Sequence, residues 1–540
     1  MKVADKVFFN GNIYTMNNDY YHAEAIAVKD QKILFVGSNE DSKQYAGEKT
    51  EMIDLKGETV IPGIIENHTH LLIAGELETQ VLAFNKTKEQ ILAEVAEAAK
   101  TKKPGEWVLG RGWSQEDWDD KAFPTREDLD KVCPDNPVVM YRVCMHCLWV
   151  NTKALELAGI TDDTKDPLGG EIIRDEKGVA TGVLTDAATQ AVDKIIPPYT
   201  VDNVMHMLPL IEKTYLKNGI TTVVDLGAGF LSPAGPAQGD TMIKALKKSY
   251  EEDKVKLRSY VYVRPGELLD EYYKNGPEIG LYDDRLTVRG QKIFADGTLG
   301  ARSAWLLEDY SDRPGHKGNN RMSSEELESL VKKAYDAGFQ TTIHGIGDAT
   351  LKQIVDVYEK IYTDSNKDCR PRIEHFMIAR DQEFERFGKL KGIASMQFVE
   401  LSSDLGMLEE RIGKGRIHGA YAWRKALNLG IKIVAGTDYP VDSVNPFESL
   451  YYAVSRCTIK EEPIGGYNPQ EALTRYEALR AYTLDGAYGC FEENIKGSIE
   501  EGKLADFAVI DHDYMNCNIS EIKDIKVLKT IIGGETIYEA

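Results

Sequence analysis

Eight short β-rich runs recur along the middle of the chain, with stretches of helical length between them. They are TVIPGIIENHTH (59–70), TTVVDLG (221–227), LRSYVYV (257–263), LTVRGQKIFAD (286–296), TTIHGIG (341–347), RPRIEHF (370–376), IASMQF (393–398) and IKIVAGTDYP (431–440). Helical stretches such as SSEELESLVKKAYDAG (323–338) carry their own punctuation, Ser at the N-cap and Gly past the end. Eightfold alternation of strand and helix predicts an α/β fold, a (β/α)8 TIM barrel, rather than an open doubly wound sheet.

The ends of the chain read differently. VFFNGNIYTM and AIAVKDQKILFVG near the start, and GSIEEGKLADFAVI and VLKTIIGGETIYE near the finish, are all-β. Neither piece is large enough to hold a core, so the two are expected to pair into one composite β-sandwich domain, residues 1–58 with 491–540. The barrel then takes 59–490. About 150 residues separate its first two strands, far more than a barrel needs, so a large insertion after strand 1 is expected over roughly 76–205. The Gly/Pro-rich loop GAGFLSPAGPAQGD (227–240) follows the second strand on the catalytic face and is expected to be mobile and close to substrate.

Composition excludes several classes. Asp and Glu outnumber Lys and Arg by 87 to 65, a net charge of −22, and no long basic run interrupts this. Nucleic acid and anionic membrane surfaces are therefore poor partners. No run of 18 apolar residues appears, and MKVADKVFFNGNIYTMNND lacks the apolar stretch of a signal peptide. Seven scattered cysteines suit reduced thiols, and the expected location is cytoplasmic. A homodimer is the default assembly.

The chemistry begins at His68-Thr69-His70. In a strand, i and i+2 share a side, so both imidazoles project into the barrel from the end of strand 1. Paired neutral imidazoles suit Zn²⁺ or a similar divalent ion. His344 and His375 lie at the ends of strands 5 and 6, and Asp438 closes strand 8. Barrel enzymes place their sites at these strand ends, and four histidines with one carboxylate there form a metal-ligand set.

This ordered series resembles the amidohydrolase superfamily, and more narrowly its branch of YtcJ-like proteins related to N-substituted formamide deformylase. PGIIENHTH is similar to the metal motif of strand 1, and KIFADGTLGARSA, IHGIGD, RIEHF and GTDYPV to the later barrel motifs. GRGWSQEDW, NPVVMYRVCMHCLWVNTKAL and GGEIIRDEKGVATGVL resemble segments of the branch's insertion, and GSIEEGKLADFAVID its returning strand. Glu66 stands where many members carry Asp.

The resemblance implies a role for Lys292 on strand 4, since related enzymes carboxylate the equivalent lysine and bridge two metals with the carbamate. The alternative is an unmodified Lys292 paired with Asp296, with one metal held by His68, His70 and Asp438 or by the strand-5 and strand-6 histidines. A bound divalent ion, most simply Zn²⁺, acidifies its water for attack on a carbonyl carbon. Asp438 is the expected proton shuttle to the leaving nitrogen. In the resembling branch the residue matching His146 faces the active site, which implies a substrate or oxyanion contact; a core histidine is the alternative. The Cys144/Cys147 pair around it has no matching second pair and is read as structural. Asp296 and Arg302, on the loop after strand 4, are expected to clamp a polar substrate group or to pair with each other. Trp113 is expected to line the substrate pocket or, like Trp118, to fill the insertion's core.

The reading is a metal-dependent hydrolase acting on a small amide-type molecule. It cleaves a non-peptide C–N bond in an N-acyl or N-formyl amine or another amide. A deaminase, cyclic amidohydrolase or lactonase is the alternative. A non-catalytic relative would be expected to lose ligands, and this chain retains them.

Overall fold

In the computed structural model, residues 3–17, 22–144, 146–227 and 239–540 are described. Apart from its ends, the 227–240 loop singled out above lies outside them. The chain divides into two compact units. One comprises Met1–Leu71, Leu208–Gly227 and Leu246–Ala540; the other comprises Leu72–Met207 and Ala228–Ala245.

The first unit holds the barrel. Its strands are β1 (Ile64–Thr69), β2 (Ile220–Asp225), β3 (Arg258–Val263), β4 (Leu286–Phe294), β5 (Gln340–Gly345), β6 (Arg372–His375), β7 (Ile393–Met396) and β8 (Lys432–Ala435). They pair in sequence order, all parallel. Most of their residues are buried on both faces, as expected of a parallel sheet covered by helices. The helix Ser324–Ala337 begins and ends as its sequence requires. Ser323 accepts the Glu326 amide at its N-cap, and Gly338 takes the left-handed conformation past its end.

The barrel closes just beyond β8. The Asp438 amide donates to the His68 carbonyl at 2.8 Å, and the His70 amide to the Tyr439 carbonyl at 3.0 Å. Glu66 reinforces this seam, accepting the amides of His68 and Thr437 on Oε1 and the Thr437 hydroxyl on Oε2. Only glycine fits at position 436, where a Cβ would stand 2.4 Å from the His68 nitrogen and 2.5 Å from Glu66 Oε1.

The expected strand 59–70 is two strands. Thr59–Pro62 pairs with Phe507–Ile510 outside the barrel, and β1 starts at Ile64. The chain crosses over at Gly63, where a Cβ would come within 2.2 Å of Thr221 Oγ1. Thr59–Pro62 thus joins a six-stranded sheet ordered Glu535–Glu539, Val527–Ile532, Phe507–Ile510, Thr59–Pro62, Asn12–Tyr14, His22–Ala23. A second sheet, ordered Lys32–Gly37, Ala25–Lys29, Lys6–Phe9, Glu51–Asp54, faces it. Phe8, Ile26 and Val28 from one sheet and Val60, Phe507 and Ile531 from the other share one apolar cluster, so segments from both ends of the chain build one sandwich.

The sandwich is tied to the barrel by a buried, two-point ion pair. Arg258, the first residue of β3, donates from Nε and Nη2 to the two Asp506 oxygens at 2.7 and 3.0 Å, and the Gly533 amide also reaches Asp506.

The second unit carries a six-stranded sheet ordered Gly170–Arg174, Ala180–Asp186, Cys147–Val150, Val138–Arg142, Val108–Trp113, Val81–Leu82. Alternate residues feed opposite cores: Val138, Met140 and Trp149 pack with Trp113, Ile91 and Leu129, and Val139, Tyr141 and Leu148 with Leu155 and Ile160. No helix among the described residues is long and apolar enough to cross a membrane.

Breaking one partner of a buried ion pair strands the other charge, at a cost of about 3–5 kcal/mol. Asp506→Ala is therefore expected to lower the urea unfolding midpoint markedly. The double variant Arg258→Met, Asp506→Leu is expected to recover most of the loss.

Candidate metal centre

The strand ends bring four histidines together. His68 lies in β1, His70 one residue beyond it, His344 in β5, and His375 closes β6. Ring centroids stand 5.6 Å apart for His68 and His70, 5.1 Å for His68 and His375, and 4.6 Å for His344 and His375. One ligand atom from each of His68, His375 and Asp438 falls within 4.8 Å of the other two, and all three residues are buried. His375 and Asp438 adopt left-handed backbone, with φ of 70° and 58°. Such strain costs of order 1–3 kcal/mol per residue and persists only where the surroundings enforce it, here the barrel seam for Asp438.

Each imidazole is oriented by an oxygen at Nδ1. His68 faces Glu374 Oε2 at 2.7 Å, His70 the Gly227 carbonyl at 3.4 Å, His344 Asp296 Oδ1 at 2.9 Å, and His375 Glu400 Oε1 at 2.9 Å. An Nδ1–H spent on such an acceptor leaves the Nε2 lone pair for a metal. Burial keeps the rings neutral: His68 is pushed down to about 3 and His344 to about 4, and His375 also falls below its ordinary value.

The fifth donor is Asp438. Burial opposes its charge, but the surrounding imidazoles outweigh burial and hold it below the usual carboxylate range. Its Oδ1 lies 3.1 Å from His70 Nε2 and 3.4 Å from His68 Nε2, yet it is buried and accepts no hydrogen bond from the described residues. Close approaches without hydrogen-bond geometry are what side chains aimed at one shared point produce. Carboxylates also crowd this side of the site. Burial and the charge of Asp438 push Glu400 well above the carboxylate range and Asp442 up to about 6. Neutral imidazole donors beside the ionised Asp438 fit a divalent cation, which would also ease the repulsion that Glu400 and Asp442 meet there.

Lys292, on β4, is 1% exposed, and its Nζ has no hydrogen-bond partner among the described residues. Burial draws its amine down to about 8 against the pull of Glu374 and Asp438.

Other expectations are corrected. Asp296 binds neither Arg302 nor Lys292 and is not placed to hold substrate. Its two oxygens accept His344 Nδ1, the amides of Trp305, Ile346 and Gly347, and the Thr350 hydroxyl. Arg302 pairs with Asp312 at 2.6 Å, since the carboxylate of Asp296 is already saturated. Trp113 is fully buried, stacked near Trp118, with its indole N–H on the Met140 carbonyl. It fills the core of the insertion rather than lining a pocket. His146, in that same unit, is exposed, with Nδ1 3.4 Å from Asp186 Oδ1.

Sequence reasoning missed Glu374 and Glu400, which orient His68 and His375, and Arg372, which is bonded to Glu374. The available signal was Arg372 and Glu374 at alternate positions of a barrel strand, which puts both on one face.

Protons compete with metal only where the imidazoles titrate. With His68 and His344 lowered to about 3 and about 4, divalent-metal affinity of Lys292→Met, which has no amine to titrate at that position, is expected to change little between pH 8 and pH 6 and to fall as pH approaches 4. A competition titration with a chromogenic chelator checks this. Exposed histidines would instead lose metal near pH 6.5.

Residues 51–538 match the profile of the amidohydrolase family. The chain is similar to the YtcJ protein of Bacillus subtilis (strain 168), at 32% identity covering 99% of both chains. It is similar to N-substituted formamide deformylase of Arthrobacter pascens, at 28% identity covering 100% of this chain and 99% of that one. Among solved structures it resembles an uncharacterized metal-dependent hydrolase from Pyrococcus furiosus, with a TM-score of 0.78 and 29% identity over 95% of this chain and 100% of that one.

Proposed function

The chain belongs to the amidohydrolase family, and from that premise we propose that it hydrolyses a non-peptide C–N bond in an N-acyl or N-formyl amine or a related amide. The observation that carries this reading is the set of four neighbouring imidazoles, each with Nδ1 by an oxygen, of which His68, His70 and His375 lie close to a buried Asp438 whose Oδ1 accepts no hydrogen bond from the described residues. The full-length likeness to a protein named for deformylation supports formamides as the first substrates to try.

His68, His70, His344, His375 and Asp438 would hold one or two divalent ions, Zn²⁺ being the natural choice, and a bound ion would supply Lewis acidity and lower the pKa of a water. Asp438, kept ionised, takes the proton that this water loses and returns it to the leaving nitrogen. Amines leave poorly unless protonated, so the shuttle is what makes C–N cleavage feasible. Its backbone amide is committed to the His68 carbonyl, which fixes the carboxylate beside the two histidines of β1. His146, exposed on the insertion, is the candidate for a substrate or oxyanion contact.

Lys292 supports a two-ion site. With its amine near 8, a share is neutral at physiological pH. The neutral nitrogen adds CO₂, an N–C bond forms, a proton leaves, and the lysine becomes an anionic carbamate with two ligand oxygens. All seven cysteines are free, which supports the reading of a reducing, cytoplasmic setting.

Two tests follow. Asp438→Asn is expected to reduce amine release from N-formyl and N-acyl amines by roughly 10²–10⁴-fold. Chelation is expected to abolish release and added Zn²⁺, Mn²⁺ or Co²⁺ to restore it; release that survives chelation would sink the hydrolase mechanism. Metal analysis after reconstitution with and without bicarbonate tests the carbamate. Wild type is expected to gain metal with bicarbonate and Lys292→Met to show no gain.

A further inference from the structure

The floor of the site contains a buried charge that the mechanism above leaves without a task. Arg372, on β6, is fully buried. Its Nε donates to Glu374 Oε1 at 2.6 Å, and its Nη2 donates to the Asn67 carbonyl at 2.6 Å and to Ser395 Oγ at 3.0 Å. Glu374 Oε2 in turn lies 2.7 Å from His68 Nδ1, and the Thr342 hydroxyl donates to Glu374 Oε1. One guanidinium on β6 therefore reaches β1 and β7 directly, while Glu374 carries its influence to β5 and to the His68 ring.

An apolar layer would serve stability as well. Burying a guanidinium and a carboxylate costs desolvation that their attraction often fails to recover, so a buried pair alone is weak support for a fold. What this pair does that leucines cannot is hold one histidine at two points. The Asn67 carbonyl, directly before His68, anchors its backbone, and Glu374 anchors its ring. The Gln397 amide also approaches His68 Nδ1, at 2.9 Å. An amide N–H there asks for the tautomer with its proton on Nε2. Glu374 Oε2, closer to the ring at 2.7 Å, favours the one with its proton on Nδ1, and Arg372 Nε holds that carboxyl group in place through Oε1.

We propose that Arg372 is a positioning residue for the metal centre: by gripping Glu374 and the Asn67 carbonyl together, it fixes both the place and the tautomer of His68. The inference rests on the metal-site reading above and adds a specific source of its preorganisation. Lysine at position 372 keeps the charge, but a single ammonium cannot reproduce the fork.

The test is Co²⁺ binding to chelator-stripped full-length protein, followed by its visible absorption spectrum and by competition with a chromogenic chelator. Arg372→Lys is expected to weaken Co²⁺ binding by about 10–100-fold, the range found for groups that orient metal ligands, and to shift the absorption bands. With metal saturating, kcat is expected to fall while KM stays near the wild-type value. Glu374→Gln tests the same link from the other end if Arg372→Lys does not fold. Its amide offers an N–H to His68 Nδ1 when its oxygen is held by Arg372, and the same loss and band shift are expected. Either folded variant binding Co²⁺ with wild-type affinity and spectrum, whatever its urea midpoint, would overturn the proposal and leave the hydrolase reading standing. A wild type that takes up no Co²⁺ would overturn both.

Discussion

Two backbone hydrogen bonds, Asp438 amide to His68 carbonyl and His70 amide to Tyr439 carbonyl, join the beginning of the barrel to its end. A parallel barrel has to pair its first and last strands or leave a row of peptide groups unsatisfied. Here that pairing falls on the residues offered as ligands. The geometry that closes the fold is thus also the geometry that brings two histidines up to a carboxylate. Gly436 and Glu66 serve both ends at once: the glycine lets the strands approach, and the carboxyl group bridges them from behind.

The electrostatics of the site follow from burial. Desolvation alone would disfavour every charge there, and for His68, His344 and His375 it prevails, which leaves them as lone-pair donors. The carboxylates divide. Glu374 keeps its charge because Arg372 lies against it, and Asp438 because imidazoles surround it. Glu400 and Asp442 are driven upward by burial and by the charge of Asp438. The same low-dielectric interior therefore yields neutral bases, fixed anions and carboxyl groups whose ionisation is opposed, within a few side chains of each other.

Much of this was legible in the sequence because it rests on period and position. The eight runs were visible as β-rich segments between helical ones, and His68, His70, His344, His375 and Asp438 announced themselves by lying at strand ends. What was not legible depends on direction. Asp296 looked like a loop acid free to meet substrate, but its proximity to His344 arises from pairing between β4 and β5, which residue spacing does not encode. Glu374 was hidden beside His375, and Glu400 sits 25 residues beyond it, at a distance only the fold closes. Trp113 was ambiguous because an indole suits a core and a pocket equally, and the sheet around it chose the core. The break at Gly63 was missed because Val60-Ile61-Pro62 before it and Ile64-Ile65 after it are apolar alike.

The seam also sets a timetable. Thr69 and Tyr439 are 370 residues apart in sequence. At the usual pace of synthesis, roughly 5–20 residues per second, about 20–70 s pass between the emergence of the first histidine pair and that of the carboxylate that faces it. Through that interval β1 has no partner on its β8 side, and the sandwich strand just before it still lacks Phe507–Ile510. The ligand set cannot assemble until Asp438 has emerged, so the histidines of the first strand wait for a carboxylate that is made long after them.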